Sequence, residues 1–107
     1  ITFDAFQKTH MRVGEILEIR KHENADQLLV FTLDFGSFGT AQIVSGLAET
    51  YTDFSALIGK KVLAVHNLKP VMLRKVESQG MLLTTESNGT PGLIFIDVVV
   101  ENGSLIK

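Results

Sequence analysis

The run LLVFTLDFGSFGTAQIV, residues 28–44, carries the clearest structural pattern of this 107-residue chain. Between residues 29 and 35 every second residue is a leucine or a phenylalanine, and Thr32 and Asp34 stand between them. This alternation is typical of a β-strand with one buried face. The sequence GSFG at residues 36–39 is a turn signal. We therefore predict two antiparallel strands joined by a hairpin turn.

The same reasoning applied to both sides of this run predicts a small β protein with one or two short helices. We expect a preceding strand over residues 12–20, interrupted by a bulge or two-sided burial at Ile16, so that the first three strands form a meander. The other predicted elements are a helical turn at 2–6 with Thr2 as N-cap, a short helix at 52–59, and strands at 62–68, 80–85 and 93–100, with a loop at 70–79. This order predicts an all-β, five-stranded Greek-key barrel of the oligonucleotide/oligosaccharide-binding (OB) type with a C-terminal strand extension, and an SH3-like barrel is the alternative.

Length and composition restrict the class of protein. A chain of 107 residues, 45% of them hydrophobic, corresponds to one folding unit, and we expect a single domain over residues 1–107. The absence of cysteine excludes disulfides, thiolate nucleophiles and cysteine-ligated zinc. No apolar run reaches the roughly 20 residues that a membrane span needs, and no signal peptide is recognisable. We expect a soluble, cytoplasmic protein without membrane association and without a cofactor.

The distribution of charge is more informative than its total. The formal net charge is −2, which by itself argues against a nucleic-acid ligand. Residues 54–76, however, contain five of the ten basic residues and no acidic residue: Lys60, Lys61, Lys69, Arg74 and Lys75. A local field of one sign can attract an anion to a protein that is mildly negative overall. A solvated basic face without a ligand is the competing interpretation.

Residues 67–81, NLKPVMLRKVESQGM, combine two amides, three cations, a hydroxyl and two thioethers next to predicted buried strands. Cations of this kind contact phosphates, Asn67 and Ser78 can bond sugar or base edges, and Met81 can lie against an exposed base. The segment contains no aromatic residue on which bases could stack. We therefore expect binding of nucleic acid by shape and phosphate contacts.

Short blocks of sequence, in one order along the whole chain, resemble the tRNA-binding domain family. The blocks are MRVG at 11–14, HENADQL at 22–28, VSGLA at 44–48, LIGKKV at 57–62, NLKP at 67–70 and ESQGMLL at 77–83. The resemblance implies an OB-fold domain that binds tRNA without aminoacylating it. Members occur as C-terminal appendices of bacterial methionyl-tRNA synthetase, as free-standing homodimers, and as chaperones of the secretion type.

Transferred position by position, the resemblance implies a set of tRNA-contacting residues. They are Asn67, Lys69, Arg74, Lys75, Ser78 and Met81, with Arg12 as an outlying contact. This sequence departs from the family pattern at two of the neighbouring positions. Met72 stands where relatives usually have a lysine or arginine, and Lys75 stands where they often have glycine. One basic contact is lost and another is gained nearby.

The apolar run at residues 93–100 suggests a partner. It contains one charged residue, Asp97, and a barrel of this size has few faces that could cover such a strand. The family's homodimers use the same part of the chain. We expect a two-fold homodimer with Leu93, Phe95, Val98 and Val100 at the interface, and we name an aminoacyl-tRNA synthetase as a further candidate partner.

Other functions are less well supported by the sequence. His22 and Asp26 have helical spacing, but a structural metal site needs about four ligands and no third is apparent. Ser78, Glu77 and His66 lack the glycine pattern of a nucleophile elbow, so no catalytic residue is predicted. The remaining alternative to tRNA binding is a chaperone-like dimer that grips unfolded peptide with its apolar surface.

Overall fold

A computed structural model describes residues 1–107 as a small, curled β-sheet protein. Its single α-helix, α1, spans Phe3–Gln7, and Thr2 caps it because the Thr2 hydroxyl accepts a hydrogen bond from the Ala5 amide at 3.1 Å. The strands are β1 Met11–Lys21, β2 Leu29–Asp34, β3 Thr40–Ser45, β4 Lys61–Val65, β5 Val71–Leu73, β6 Val76–Ser78, β7 Met81–Leu82, β8 Thr84–Ser87, β9 Thr90–Leu93 and β10 Phe95–Ile96. Short 3-10 helices lie at Gly36–Phe38 and Phe54–Leu57.

The main sheet has the strand order β10-β4-β1-β2-β3, and β7 also pairs with β4. Strands β1, β2 and β3 form the expected antiparallel meander. The long strand β1 pairs with β4 through its first half and with β2 over most of its length, and the register shifts between Ile16 and Glu18. A bulge at this point lets one strand bend around the core and serve two neighbours. The all-β barrel class predicted from the sequence is confirmed.

Side chains close the barrel between β3 and the segment that joins β6 to β7. The backbone amide of Gln42 donates to Oε1 of the Gln79 side chain at 2.8 Å. The backbone amide of Gln79 donates to the backbone carbonyl oxygen of Gln42 at 2.7 Å. The Gln42 side chain also donates to the Glu77 carbonyl oxygen at 2.8 Å. These bonds satisfy the edge of β3, which would otherwise present unpaired backbone groups.

The core is built mainly from the alternating residues of β2 and from their neighbours across the barrel. Leu29, Phe31, Leu33 and Phe35 are fully buried, as the pattern predicted. Ile16, at the bulge, is buried as well and belongs to the same apolar cluster. The cluster is completed by Ile43, Leu47, Leu57, Val62, Ala64, Leu82 and Leu93. Burial of this apolar surface is the main force that holds the barrel together.

Several predicted elements differ in the structure. The helix predicted at 52–59 is a single 3-10 turn, and the strand predicted at 62–68 ends at Val65. The strand predicted at 80–85 is divided into β7, on the main sheet, and β8, which pairs with β9 in a separate hairpin. The longest α-helix has five residues, and no helix has the length and apolarity needed to cross a bilayer.

The continuous last strand predicted at 93–100 is wrong. Only Phe95–Ile96 pairs with β4, and the chain then turns at Asp97. The Asp97 carboxylate accepts a hydrogen bond from the Val99 amide at 3.1 Å, and its carbonyl oxygen accepts one from the Val100 amide at 3.0 Å. An aspartate that bonds amides ahead of it favours a turn over a strand. Val98 and Val99 are consequently exposed, by 65% and 82%.

Candidate nucleic-acid interface

The loop predicted at 70–79 is a short β-hairpin formed by β5 and β6. Val71 pairs with Ser78 and Leu73 pairs with Val76, so Arg74 and Lys75 alone form the turn. Both turn residues have positive φ, 52° and 74°. Two successive left-handed residues are the requirement of a type I′ turn, which glycine and asparagine satisfy more easily than long side chains. The hairpin therefore holds two exposed cations in a conformation that is unfavourable for them.

His22 fixes this hairpin to the loop between β1 and β2. Its imidazole is 4% exposed, Nδ1 lies 3.0 Å from the Asn24 amide and Nε2 lies 3.0 Å from the Leu73 carbonyl oxygen. Because the Asn24 amide can only donate, Nδ1 accepts and Nε2 carries the proton that is donated to Leu73. Both ring nitrogens are used, so His22 is not free to ligate a metal. No group of three or more histidine, cysteine or acidic side chains suited to a metal ion exists in the chain.

Ser78 fixes the other end of the hairpin to the barrel. The side chain is 2% exposed, and its hydroxyl accepts a hydrogen bond from the Val44 amide and donates one to the Gly80 carbonyl oxygen, both at 3.0 Å. A hydroxyl with these two partners has little capacity left for a ligand. The structure thus places Ser78 beneath the predicted contact surface, where it positions β6 against β3.

The basic residues of segment 54–76 form two groups. Lys60 and Lys61 lie at the start of β4, where Lys61 Nζ donates to the Val100 carbonyl oxygen and Lys60 Nζ lies 5.4 Å from the centre of the Phe95 ring. Lys69, Arg74 and Lys75 follow the far end of β4 and are exposed. We call these three residues the basic hairpin group. The single basic surface suggested by the sequence is therefore divided between the two ends of β4.

Asn67 and Arg12 are occupied by contacts within the chain. The Asn67 side chain accepts from the His10 amide at 2.8 Å and donates to the Lys8 carbonyl oxygen at 2.7 Å, which ties the end of α1 to the end of β4. The Arg12 guanidinium lies 3.8 Å from the centre of the Phe38 ring and donates to the Gly103 carbonyl oxygen at 2.9 Å. Arg12 differs from the exposed basic hairpin group, because its charged group is half-buried against an aromatic ring.

The hairpin and the neighbouring β7 expose apolar as well as basic side chains. Met72 is 62% exposed, Val71 is 52% exposed, and Met81 on β7 is 47% exposed. Thioether and aliphatic surfaces of this kind can lie against the flat face of a base or against an apolar peptide side chain. Met81 is thus exposed at the surface, as a contact with a base requires.

Two shallow clefts lie on either side of Gln27. The cleft beside the hairpin tip, about 470 Å³, is lined by Asp26, Gln27 and Arg74 together with Ala25 and Leu28. The cleft beside the β8–β9 hairpin, about 380 Å³, is lined by Gln27, Gly46, Glu49, Thr50, Gly89, Thr90 and Pro91. Gln27 lines both clefts. Each cleft also contains one carboxylate, Asp26 in the first and Glu49 in the second, and the first contains the cation of Arg74.

The chain is similar to known proteins both in sequence and in fold. Residues 11–105 match the family model described as "Putative tRNA binding domain". The chain belongs to this family. Methionine–tRNA ligase of Lactiplantibacillus plantarum is 47% identical over 107 residues, which is 100% of this chain and 16% of the ligase. The chain thus spans about one sixth of the length of the curated relatives that it matches.

Solved structures share the fold of this tRNA-binding family member over its full length. The methionyl-tRNA-synthetase-related protein of Pyrococcus horikoshii is 34% identical and superimposes with a TM-score of 0.91, covering 100% of this chain and 97% of that protein. The chaperone CsaA of Picrophilus torridus is 27% identical with a TM-score of 0.89, covering 100% of this chain and 99% of the chaperone. The same barrel therefore serves proteins described by two different functions.

The sequence indicated segment 67–81 as a contact surface and predicted a loop at 70–79, but it did not indicate the hairpin or the side chains that hold it. His22 was considered as a metal ligand, and its true contact with Leu73, 51 positions away, cannot be read from spacing. Gln42 and Gln79, which close the barrel, carried no recognisable signal. The family's frequent glycine at the position of Lys75 was the one available sign of a left-handed turn residue, and the positive φ of Lys75 accounts for it.

Of the four residues predicted for a dimer interface, Leu93 differs from the others because it is buried within its own chain. Leu93 is 8% exposed and belongs to the apolar core of its own chain. Phe95 and Val98 are exposed, and Val100 is half-buried. Together with Val99 they form an apolar surface on the turn after β10 that the chain itself does not cover.

Proposed function

We propose that this chain is a non-catalytic tRNA-binding domain spanning residues 1–107, acting in the cytoplasm. The β5–β6 hairpin, with Lys69 just before it, presents the basic hairpin group to the phosphate backbone, and the clefts beside Gln27 take the sugar and base edges. The observation that carries the proposal is the fixed, outward presentation of Lys69, Arg74 and Lys75 on a member of the tRNA-binding family. Cations held by a rigid element bind phosphate without first having to be ordered.

The contacts divide into two kinds in this proposal. Lys69, Arg74 and Lys75 contact phosphates and Met81 lies against a base or sugar, because these side chains are exposed. Asn67 and Ser78 position the surface, because their polar atoms are bonded within the chain. Phosphate contacts fix register and carry no sequence information. Recognition of tRNA shape, common to many tRNA species, follows from this division.

The proposal includes assembly as a free-standing homodimer or as the C-terminal part of a methionyl-tRNA synthetase. The exposed apolar surface of Phe95, Val98 and Val99 supports a dimer, since monomeric proteins seldom leave such groups uncovered together. The 47% identity to one sixth of a methionine–tRNA ligase supports the second arrangement. A dimer would carry two basic hairpin groups and bind a two-armed RNA more tightly than one group could.

The test is the salt dependence of tRNA binding. For the unmodified chain we expect the logarithm of the association constant to fall linearly with the logarithm of salt concentration. Lys69→Ala and Arg74→Ala should each weaken binding of every tRNA species and reduce the slope by about one. Lys60→Ala is the matched control, since Lys60 is exposed at the opposite end of β4. A chain that shows no salt-sensitive binding of tRNA would exclude the proposal.

A second function, binding of unfolded peptide, is favoured by the exposed Val71, Met72 and Met81 and by the likeness to CsaA. The two functions make opposite predictions for the same pair of variants. Met72→Ser should weaken peptide binding and leave the salt slope for tRNA unchanged. Arg74→Ala should reduce the salt slope for tRNA and leave peptide binding unchanged. Binding of a denatured client protein and of tRNA at the same salt concentration separates them.

A further inference from the structure

Three groups that can carry positive charge, His10, Arg12 and His66, lie where β1 begins and β4 ends. His10 and His66 face each other across β1 and β4, since the His66 amide donates to the His10 carbonyl oxygen at 2.8 Å. Arg12 lies on the Phe38 ring, and the same ring meets the imidazole of His66 edge-on at 5.7 Å. Phe35 packs against the other side of His66 at 5.0 Å. The aromatic rings hold His66 and Arg12 in place.

These three side chains have unused hydrogen-bonding capacity. Neither His10 nor His66 has a side-chain hydrogen bond within the chain, in contrast to His22, which uses both ring nitrogens. Arg12 makes one recorded hydrogen bond, to Gly103, and its Nε is buried without a partner. The unused nitrogens of His10 and His66 are therefore the groups of the cluster that can bond a ligand. Apart from the bond of Arg12 to Gly103, the side-chain donors of the cluster have no acceptor within the chain.

The charge of the surroundings selects an anion. Arg12 and His10 are the charged groups that act on His66, and the nearby carboxylates of Glu15 and Asp34 are bonded by the Asn102 side chain. Burial is the larger influence and lowers the pKa of His66, and the two positive neighbours lower it further. A metal cation is disfavoured beside the Arg12 guanidinium. A tetrahedral oxyanion would instead accept hydrogen bonds from all three side chains and compensate their mutual repulsion.

We propose that His10, Arg12 and His66 form a phosphate-binding subsite that takes up a proton on His66 when it is occupied. This inference rests on the proposed function where the phosphate belongs to RNA. The amide side chain of Asn67 bonds the His10 backbone, so the subsite adjoins the segment that leads through Lys69 into the hairpin. A backbone phosphate of an RNA already held by the basic hairpin group can then occupy the subsite. Because occupancy favours the imidazolium form, RNA binding tightens as pH falls.

The first experiment detects the subsite without RNA. The pKa values of the three histidines are measured by NMR in sulfate, a tetrahedral anion of constant charge, and in chloride at equal ionic strength. We expect sulfate to raise the pKa of His66. The ring signals of His22 should be the same in both salts, because its ring is buried and fully bonded. Equal values for His66 in the two salts would overturn the inference.

The second experiment measures tRNA affinity across pH in the unmodified chain, in His66→Asn and in His10→Asn. Between about pH 8 and about pH 5.5 we expect affinity to rise roughly three- to tenfold more in the unmodified chain than in His66→Asn, as linkage to one protonation requires. His10→Asn should retain most of this gain, and Lys69→Ala should bind more weakly with an unchanged pH dependence. Circular dichroism checks that each variant is folded.

The two experiments separate the sources of the phosphate. A sulfate effect on His66 together with pH-dependent tRNA binding that His66→Asn abolishes supports a subsite for RNA phosphate. A sulfate effect in a chain that does not bind tRNA supports a subsite for free phosphate and overturns the proposed function. A sulfate effect with the same pH dependence in the unmodified chain and in His66→Asn overturns the RNA source while the proposed function stands.

Discussion

The imidazole Nε2 of His22 lies 3.0 Å from the carbonyl oxygen of Leu73, the last residue before the Arg74-Lys75 turn. This bond connects the loop after β1 to Leu73 in the hairpin, which lies 51 positions further along the chain. A buried imidazole with two partners can hold a turn whose own residues resist the left-handed conformation. His22 is therefore a positioning residue for the basic hairpin group.

His22→Ala should loosen the hairpin. The substitution removes the acceptor of the Asn24 amide and the donor to Leu73, and we expect the free energy of unfolding to fall by about 1–3 kcal/mol. Hydrogen exchange of the β5 and β6 amides should accelerate more than that of the β2 amides. Glu23→Ala, at an exposed neighbouring position, is the control and should change neither quantity. Equal acceleration in β2 and the hairpin would show that His22 acts on the whole barrel.

Replacing Arg74-Lys75 by Asn-Gly should stabilise the hairpin and weaken tRNA binding. Relief of the left-handed conformation at two long side chains is worth about 1–2 kcal/mol per residue at most. Loss of two phosphate contacts should reduce the salt slope by about two. Thermal unfolding and tRNA titration on the same sample measure both effects. A variant that is more stable and binds tRNA as before would remove Arg74 and Lys75 from the interface.

Gly80→Ala should destabilise the point where the barrel closes. A Cβ at this position would lie 2.7 Å from the Val65 carbonyl oxygen and 3.1 Å from Cδ1 of Ile43, so the backbone must shift. We expect a loss of about 1–3 kcal/mol, as for overpacking of a core. Gly46→Ala is the matched control because the nearest atoms to its added Cβ are 4.0 Å away. Urea unfolding of both variants gives the comparison, and equal midpoints would contradict it.

The stability of the chain should decrease below neutral pH through His66. Burial, followed by repulsion from Arg12 and His10, lowers the pKa of His66 from its ordinary value of 6.5. As pH falls through 6.5, the unfolded chain takes up the proton before the folded chain does, and the free energy of unfolding falls until the folded pKa is passed. His66→Asn should flatten this dependence. Urea unfolding in chloride buffers over about pH 5 to about pH 8 tests the sign, and parallel curves for the two proteins would refute it.

Strand β2 was predictable because its large apolar residues alternate with other residues. Leu29, Phe31, Leu33 and Phe35 are fully buried and Thr32 and Asp34 are half-buried, although Val30 between them is buried as well. In β1 the break in the apolar alternation at Ile16 indicated a bulge, and the register shifts after Ile16. These are local patterns, and only a few arrangements of such strands can close a barrel.

The hairpin at β5–β6 and the turn after β10 were not predictable in the same way. Arg-Lys is not a turn sequence, and only the contacts of Leu73 and Ser78 with distant residues make the left-handed turn stable. The valines at 98–100 have strand propensity, yet the bonds from Asp97 turn the chain and leave two of them in solvent. In both places a tertiary or side-chain hydrogen bond overrides local propensity. The candidate site lies on the first of these two segments, the β5–β6 hairpin.

The attachment of β6 to β3 by Ser78 and Gln42 has a further consequence. A hairpin bonded at both ends to a packed barrel loses little conformational entropy when a ligand arrives. Under the proposed function its turn would act as a template that holds the backbone of Arg74 and Lys75 at a set spacing, and a flexible lysine tail of equal charge would lack that spacing. An RNA whose phosphates match the template gains the full electrostatic energy, and one whose phosphates do not must bend. Selectivity for folded tRNA over unstructured RNA would then arise from the stiffness of the protein, without a single contact to a base.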